Sequence, residues 1–269
     1  MTVKSKIYRF GMTILKWYWH LKGSRPITAF GNHYHVLPET IFPIYRKLCL
    51  PKDDYLSQIV RYTDFVQIHA VFRYICEIKD SPIIIDIGAH HGAYAIILGK
   101  LVQATKGKVI AVEPNPESFD ILKQNVRLNK LEDTVVCEQI AVLDKPGFAN
   151  IEFQETESHL TTTQTGCKVE VTTLENLMNK YNIKNVDLLI IDVEGAELLV
   201  LQGFPWGSVN PGEIFCELHP YAWKDFGYNG EGLRKFLKDH GYRCIDMYLR
   251  EHNVFDSIVY VGPTLLMRT

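Results

Sequence analysis

The sequence predicts an α/β fold: a mainly parallel sheet with helices on both faces, behind a helical N-terminal extension. Three observations predict it. From Ile83 onward, strand-like apolar runs alternate with helical patterns, the order that builds parallel sheets. The first run, "IIIDI", is continuously apolar, as a strand covered on both faces requires. Several of these runs end in an acid, and an open parallel sheet gathers its strand tips into one crevice. The 269 residues suffice for one such domain with an appendage. Residues 1–80 are read as the extension and 81–269 as the α/β domain, with no internal repeat or low-complexity segment.

Residues 1–80 read as mostly helical, broken by Pro26, Pro38, Pro43 and Pro51; "YTDFVQIHAVFRYICEI" places Phe65, Ile68, Val71, Phe72 and Ile75 at helical spacing. After the break at "KDSP", the strand "IIIDI" leads to "AYAIILGKLV", a helix apolar nearly all round. "KVIAVEPN" is the second strand. "PESFDILKQNVRLN" is an amphipathic helix with Pro116 in its first turn and Asn115 as cap. "TVVCEQIAV" is the third strand, and "NIEFQ" and "KVEVT" pair as a hairpin across a threonine-rich loop. "TTLENLMNKY" carries a capping-box spacing from Thr172 to Glu175. "VDLLIIDVEG" is a strand, and "AELLVLQGF" a helix stopped by Pro205. "EIFCELHP" is the next strand, "GLRKFLKDHG" a helix closed by Gly241, and "YRCIDMYL" with "DSIVYVG" a final strand pair.

Composition excludes some classes. The net charge of -2 provides no global field for nucleic acid. Cys49, Cys76, Cys137, Cys167, Cys216 and Cys244 contain no CxxC pair and read as reduced thiols in a cytoplasmic protein, without a zinc site. No apolar run reaches the roughly 18 residues a membrane span needs, and the N-terminus lacks a signal-peptide pattern. Six basic residues (Lys4, Lys6, Arg9, Lys16, Lys22, Arg25) precede the first acid, Glu39, while Ile7, Phe10, Ile14, Tyr18 and Leu21 fall near helical spacing. This amphipathic stretch, residues 1–25, suits either packing on its own domain or a second subunit, or peripheral contact with a membrane; the whole extension could equally lid the pocket.

The strand-terminal acids are Asp86, Glu113, Asp192 and Glu217, with His219 just after Glu217. An unpaired buried carboxylate is costly, so four strands ending this way point to one shared polar crevice. The first loop reads D-x-G-x-x-x-G through Asp86, Gly88 and Gly92, and His90 stands where a diphosphate-binding loop has its second glycine. Such a loop is a poor diphosphate cradle and suits a cationic ligand without phosphates, of which S-adenosylmethionine is one. Glu113 is placed to accept hydrogen bonds from both ribose hydroxyls of such a ligand. Gly92 has a structural reading as well: it lets helix and strand approach closely.

With "IIDIGAHHGAYAI", "VIAVEPNPESFDILKQNVRLN", "VTTLENLM…VDLLIIDVEGAELLVLQGF" and "IFCELHP", the chain resembles the FkbM family of class I S-adenosylmethionine-dependent methyltransferases over about half its length, Ile83 to Pro220. The resemblance implies a Rossmann-like class I methyltransferase fold with a mainly parallel seven-stranded sheet. It implies methyl transfer to oxygen on a sugar, glycan or other secondary metabolite. Carried over by position, Asp86, Gly88 and Ala89 would line the methionine part of the cofactor, with Gly92 closing the loop. Glu113 would meet the ribose, Asn115 and Ala141 the adenine side, and Asp192 the sulfonium and acceptor. Members often carry lysine two residues before that aspartate; this chain has Ile190.

An alcohol acceptor benefits from a base, and the candidates are Asp192, Glu194 and His219, histidine being best matched to neutral pH. Glu194 and Glu197 read equally as the acidic first turn of the following helix. His90 and His91, expected to point in different directions, have a loop role. No metal is assigned, carboxylates on neighbouring strands being weak grounds for one. Thr161, Thr162 and Thr163 belong to a polar loop that is either a flap over the acceptor or ordinary solvated chain. Two other classes remain open: a nicotinamide-dependent oxidoreductase, and a methyltransferase-fold binding module without turnover.

Overall fold

A computed structural model of the chain describes residues 25–29, 32–36, 80–153, 158–161, 167–246 and 262–268. Its first elements depart from the helical reading at 25–29 and 32–36, where β1 (Arg25–Ala29) and β2 (Asn32–Val36) pair antiparallel. Pro26 removes a helical donor, and only Phe30 and Gly31 separate the strands, a two-residue glycine-containing connection typical of hairpins. The amphipathic stretch before Arg25 and the helix read at 62–78 lie outside the described residues.

The domain proper alternates as expected. β3 (Ile83–Ile87), α1 (Ala93–Val102), β4 (Lys108–Val112), α2 (Pro116–Leu128) and β5 (Val135–Glu138) build one half. The predicted third strand is longer than the observed one. Its tail breaks off as β6 (Ala141–Val142) and joins a second, four-stranded sheet with β7 (Gly147–Phe153), β8 (Ser158–Thr161) and β9 (Cys167–Thr172), in the order β6-β9-β7-β8. The expected hairpin is therefore β7 with β9, and β8 pairs on the far side of β7. Thr161 ends β8; Thr162 and Thr163 lie outside the described residues.

The other half contains α3 (Leu174–Lys180), β10 (Leu188–Ile191), α4 (Glu197–Gln202), β11 (Glu213–Leu218), a 3-10 turn at Trp223–Phe226, α5 (Gly230–Asp239), β12 (Tyr242–Asp246) and β13 (Gly262–Arg268). The α3 cap is Thr173, whose hydroxyl accepts from the Asn176 amide at 3.1 Å, one residue later than the capping-box reading. The last strand is likewise displaced, to Gly262–Arg268 from the predicted 256–262, and uses the apolar "TLLM".

The main sheet has the order β12-β13-β11-β10-β3-β4-β5. The strands β11-β10-β3-β4-β5 are mutually parallel, and β13 pairs antiparallel with both β11 and β12. Two-residue alternation sends the strand side chains to two cores. Ile84, Val109 and Leu188 pack with Ile96 of α1 and Leu122 of α2. Ile85, Ile110 and Leu189 pack on the opposite face with Leu177 of α3, Val200 of α4 and Leu237 of α5. Helices on both faces explain why these strands are apolar throughout rather than alternating. Among the described residues, no helix is long and apolar enough to cross a membrane, and Cys137, Cys167, Cys216 and Cys244 are free thiols.

Candidate active site

The chain leaves β3 toward β4 and β5 on one side, and returns through β10 and β11 on the other. The crossovers thus reverse between β3 and β10, and the crevice beyond that switch point is where open α/β sheets bind ligands. The tips meet closely there. The Asp192 amide donates to the Ile87 carbonyl at 2.9 Å, and a Cβ on Gly88 would lie 1.7 Å from the Asp192 carbonyl oxygen. Gly88, at φ +84°, is required both by its left-handed backbone and by this approach.

Asp86 sits one residue before the end of β3 with no exposed surface, and neither carboxylate oxygen has a hydrogen-bond partner among the described residues. The Ala95 amide in the first turn of α1 lies near enough to favour the anion, but not in hydrogen-bonding geometry. Burial, and then repulsion from Glu113, push the Asp86 carboxyl up to about 7. Glu113, 5% exposed and just past β4, is held differently. Its Oε2 accepts from the His90 amide and its Oε1 from the Asn115 amide, both at 2.8 Å. Burial raises this carboxyl to about 7 despite those two donors. One lone pair on each oxygen is engaged, which orients the group and leaves acceptor capacity.

The loop between these acids is built from backbone. The Gly88 and Ala89 amides both lie 2.9 Å from the Val112 carbonyl, tying the loop to β4. His90 has φ +48°, so it takes the left-handed conformation glycine usually supplies. The His90 and His91 rings do not diverge as expected; they stack with centroids 3.7 Å apart. Burial, and then His91, lower the His90 imidazole to about 3, which favours the neutral ring. Gly92 caps α1 at φ +87°, where a Cβ would meet Leu122 of α2 at 2.6 Å; packing is its visible role.

Beyond β10, the "DVEG" turn carries the candidate catalytic acids. Asp192 keeps 24% of its side chain exposed and Glu194 23%. Glu194 is itself left-handed at φ +52°, and the Tyr221 hydroxyl donates to its Oε2 at 2.6 Å. His219, just past β11, is 5% exposed, with Nε2 3.3 Å from Glu194 Oε2 and 3.8 Å from Asp192 Oδ1. Burial alone would lower the His219 imidazole; the hydrogen bond to Glu197 and the charges of Glu197, Glu194 and Glu217 outweigh it and raise it. Burial, then Glu217, Glu194, Asp86 and Glu197, hold the Asp192 carboxyl well above the ordinary range. Asp192, Glu194 and His219 bring one ligand atom each within 4.8 Å of one another, close enough for a divalent cation. The 3.3 Å contact is also a direct charge-assisted hydrogen bond once the imidazole is protonated.

The structure thus brings Asp86, Gly88, Glu113, Asp192, Glu194 and His219 to the tips of neighbouring strands. Two expected cofactor residues are otherwise engaged. The Asn115 side chain caps α2, accepting from the Glu117 and Ser118 amides, and it is the Asn115 backbone that serves Glu113. Ala141 packs with Val169 and Val171 of β9 and is 2% exposed. Ile190, where the resemblance expects lysine, is buried in the core. The residue that sequence reasoning missed is Glu197. It opens α4 with no exposed surface and contacts His219, Trp223, Tyr228 and the Gly195 amide. Three of those contacts come from "HPYAWKDFGY", more than twenty residues later in the chain, so no local pattern around Glu197 announces them.

Comparison with known proteins bears on this arrangement. The methyltransferase FkbM domain matches residues 86–244. The chain is similar to the hexuronic acid methyltransferase AglP of Haloferax volcanii, 24% identical over 168 residues, covering 61% of this chain and 67% of that protein. It is also similar to methyltransferase sdnD of Sordaria araneosa, 24% identical over 203 residues, covering 62% of this chain and 76% of that protein. Among solved structures, the methyltransferase FkbM from Methylobacillus flagellatus KT aligns with a TM-score of 0.46 at 13% identity, over 70% of this chain and 43% of that one. The chain therefore spans less than half the length of that larger protein. The domain match covers more than half of the chain, from the Asp86 loop past the "DVEGAE" turn and His219, and the chain belongs to the FkbM methyltransferase family.

Proposed function

We propose that the chain is an S-adenosylmethionine-dependent O-methyltransferase acting on a hydroxyl of a sugar, a glycan or another hydroxylated metabolite. The observation that carries this reading is Asp86: a buried carboxylate at the switch point of the sheet, with both oxygens unpartnered among the described residues. Such a group is tolerated where a cation completes it. A sulfonium cofactor with an ammonium-bearing amino acid tail fits that demand, and Glu113 retains an acceptor position on each oxygen for ribose hydroxyls. A dinucleotide fits less well, because its diphosphate would face the same uncompensated acids.

The cofactor, when bound, supplies a methyl carbon for in-line displacement, the C–S electron pair leaving on sulfur. The chain's own residues do the rest. Asp86, Gly88 and Glu113 bind and orient, and alignment of the reacting atoms is the larger part of catalysis for such a displacement. Asp192 lies at the mouth, between that site and His219. Neutral His219 takes the acceptor's hydroxyl proton at Nε2 as the oxygen attacks carbon, a contribution of about 10²–10⁴ in rate. AglP is named for hexuronic acid, so uronic acid glycosides are the first acceptors to try.

The test is incubation of the full chain with methyl-labelled S-adenosylmethionine and either uronic acid glycosides or fractionated cell extract, followed by identification of the labelled product. Label on an acceptor oxygen supports the reading. Absence of cofactor binding by calorimetry, or label found only on nitrogen or carbon, refutes it.

A further inference from the structure

A fully buried carboxylate is costly unless its lone pairs are met, and Glu197 meets its requirement with an unusual set of donors. Oε1 accepts from the Gly195 amide at 2.9 Å and lies 2.7 Å from His219 Nδ1. Oε2 accepts from Trp223 Nε1 at 2.9 Å and lies 2.9 Å from the Tyr228 hydroxyl, whose hydrogen is shared with the Gly195 carbonyl 2.7 Å away. An amide and an indole can only donate, so both carboxylate oxygens are committed as acceptors. An imidazole donating from Nδ1 completes this set, giving each carboxylate oxygen two donors. With Nδ1 as donor, the neutral ring has its lone pair on Nε2, which faces Glu194 and Asp192.

A helix-capping role does not account for this arrangement. A first-turn acid interacts with the helix dipole from the surface, whereas Glu197 has no exposed surface and spends its contacts on the segment after β11. That segment is held close by other means as well: a Cβ on Gly195 would meet Ala222 at 2.5 Å. The "DVEG" turn and the His219–Tyr228 stretch are thus locked together around one carboxylate.

We propose that Glu197 is a positioning residue for methyl transfer: by accepting the Nδ1 hydrogen of His219 it selects the tautomer and ring orientation that present Nε2 to the acceptor side of the crevice. This rests on the methyl-transfer reading of the same site and adds to it the residue through which His219 acts.

The experiment has two readouts on the full chain. In protein labelled with 15N-histidine, long-range proton–nitrogen correlation reports which ring nitrogen of neutral His219 carries hydrogen, the signal being assigned by its loss in H219A. Wild type should show hydrogen on Nδ1, and E197Q should show loss of that preference. Hydrogen on Nε2 in wild type, or an unchanged tautomer in E197Q, overturns the proposal. The second readout is transfer from S-adenosylmethionine to the acceptor. E197Q and H219A should each lower kcat by about 10²–10⁴, with cofactor KM changed less than about twofold, and E197Q should cost little more in the H219A background. Losses that multiply in the double variant overturn the positioning role. If E197Q does not fold, E197D keeps the charge and should retain Nδ1 hydrogen and part of the rate; a tautomer change in E197D counts against the proposal. Nδ1 hydrogen with no transfer by wild type to uronic acid glycosides counts against the proposed acceptor class and leaves the orientation supported.

Discussion

Asp86→Asn separates what the crevice costs from what it does. Asp86 has no exposed surface, and its carboxyl is raised from 3.8 to about 7. Between those values the folded state holds a proton that the unfolded chain has released, so stability falls as pH rises and levels off above about 7. At about 1.4 kcal/mol per pH unit, ionising Asp86 in the folded protein costs about 4 kcal/mol. Asparagine removes that cost but leaves an amide without partners, a penalty of about 1–3 kcal/mol. Cofactor-free D86N should therefore be more stable than wild type by about 1–3 kcal/mol near pH 8, and the advantage should shrink by about 2–3 kcal/mol near pH 5, where Asp86 is already protonated. Thermal melts at the two pH values should show the difference between the proteins opening by about 5–10 °C. The same variant should lose cofactor affinity by calorimetry. A stability difference that does not vary with pH would refute the burial argument, and unchanged affinity would remove Asp86 from the site.

Other perturbations bear on separate parts of the crevice. Glu113→Ala should weaken cofactor binding by about 1.5–3 kcal/mol, roughly 10–150-fold, measured by calorimetry; equal affinity would exclude ribose recognition by this group. Gly88→Ala places a Cβ against the Asp192 carbonyl in a left-handed backbone, and should cost more than about 3 kcal/mol in chemical denaturation. Asp192→Asn should lower transfer at least about 100-fold, with the melting curve no less cooperative; full rate in that variant would place the chemistry elsewhere. Transfer by wild type should rise with pH through a midpoint above the ordinary histidine value of 6.5, because His219 must be neutral to act and its neighbouring acids hold its proton; a midpoint below that value would contradict the assignment.

Outside the second sheet, the order of strands and helices from Ile83 to Leu218 was legible because each local signal agreed with the fold. Continuous apolar runs need cover on both faces, and Asn115 with Pro116 marks a helix start with a mechanism. The misreadings fall where a tertiary choice overrides local pattern. "TVVCEQIAV" reads as one strand, yet Ala141 and Val142 leave for the second sheet because β9 offers them a partner. The hairpin at Arg25–Val36 was hidden among helical signals. In the site, acids at strand ends were legible because strand tips converge by topology. Glu197 was not, since a glutamate in the first turn of a helix has an ordinary reading. Only the fold brings residues 22 and 26 positions later in the chain, His219 and Trp223, onto its two oxygens.

The way this protein treats its other acids sharpens the functional reading. At the opposite end of the parallel sheet, Asp187 is also buried, but its Oδ2 accepts from the Ile83 amide at 2.8 Å and its Oδ1 from Asn185 Nδ2 at 3.0 Å. At the tip of β5, Glu138 is met by Lys180 at 2.6 Å and by the Tyr181 hydroxyl. Asp187 follows the ordinary rule that a buried acid finds donors within the fold, and the half-buried Glu138 is paired as well. Asp86 breaks the rule, and it does so at the switch point, one strand from the Glu113 tip on one side and one strand from the Asp192 tip on the other. Asp187 and Glu138 are met by groups of the fold, whereas Asp86 finds no hydrogen-bond partner among the described residues, which is the contrast behind the proposal that its partner is a bound ligand. On the proposed reading, the partner that answers several kcal/mol of uncompensated negative charge is a cation. That requirement links the cost of folding this crevice to the charge of the methyl donor it is proposed to hold.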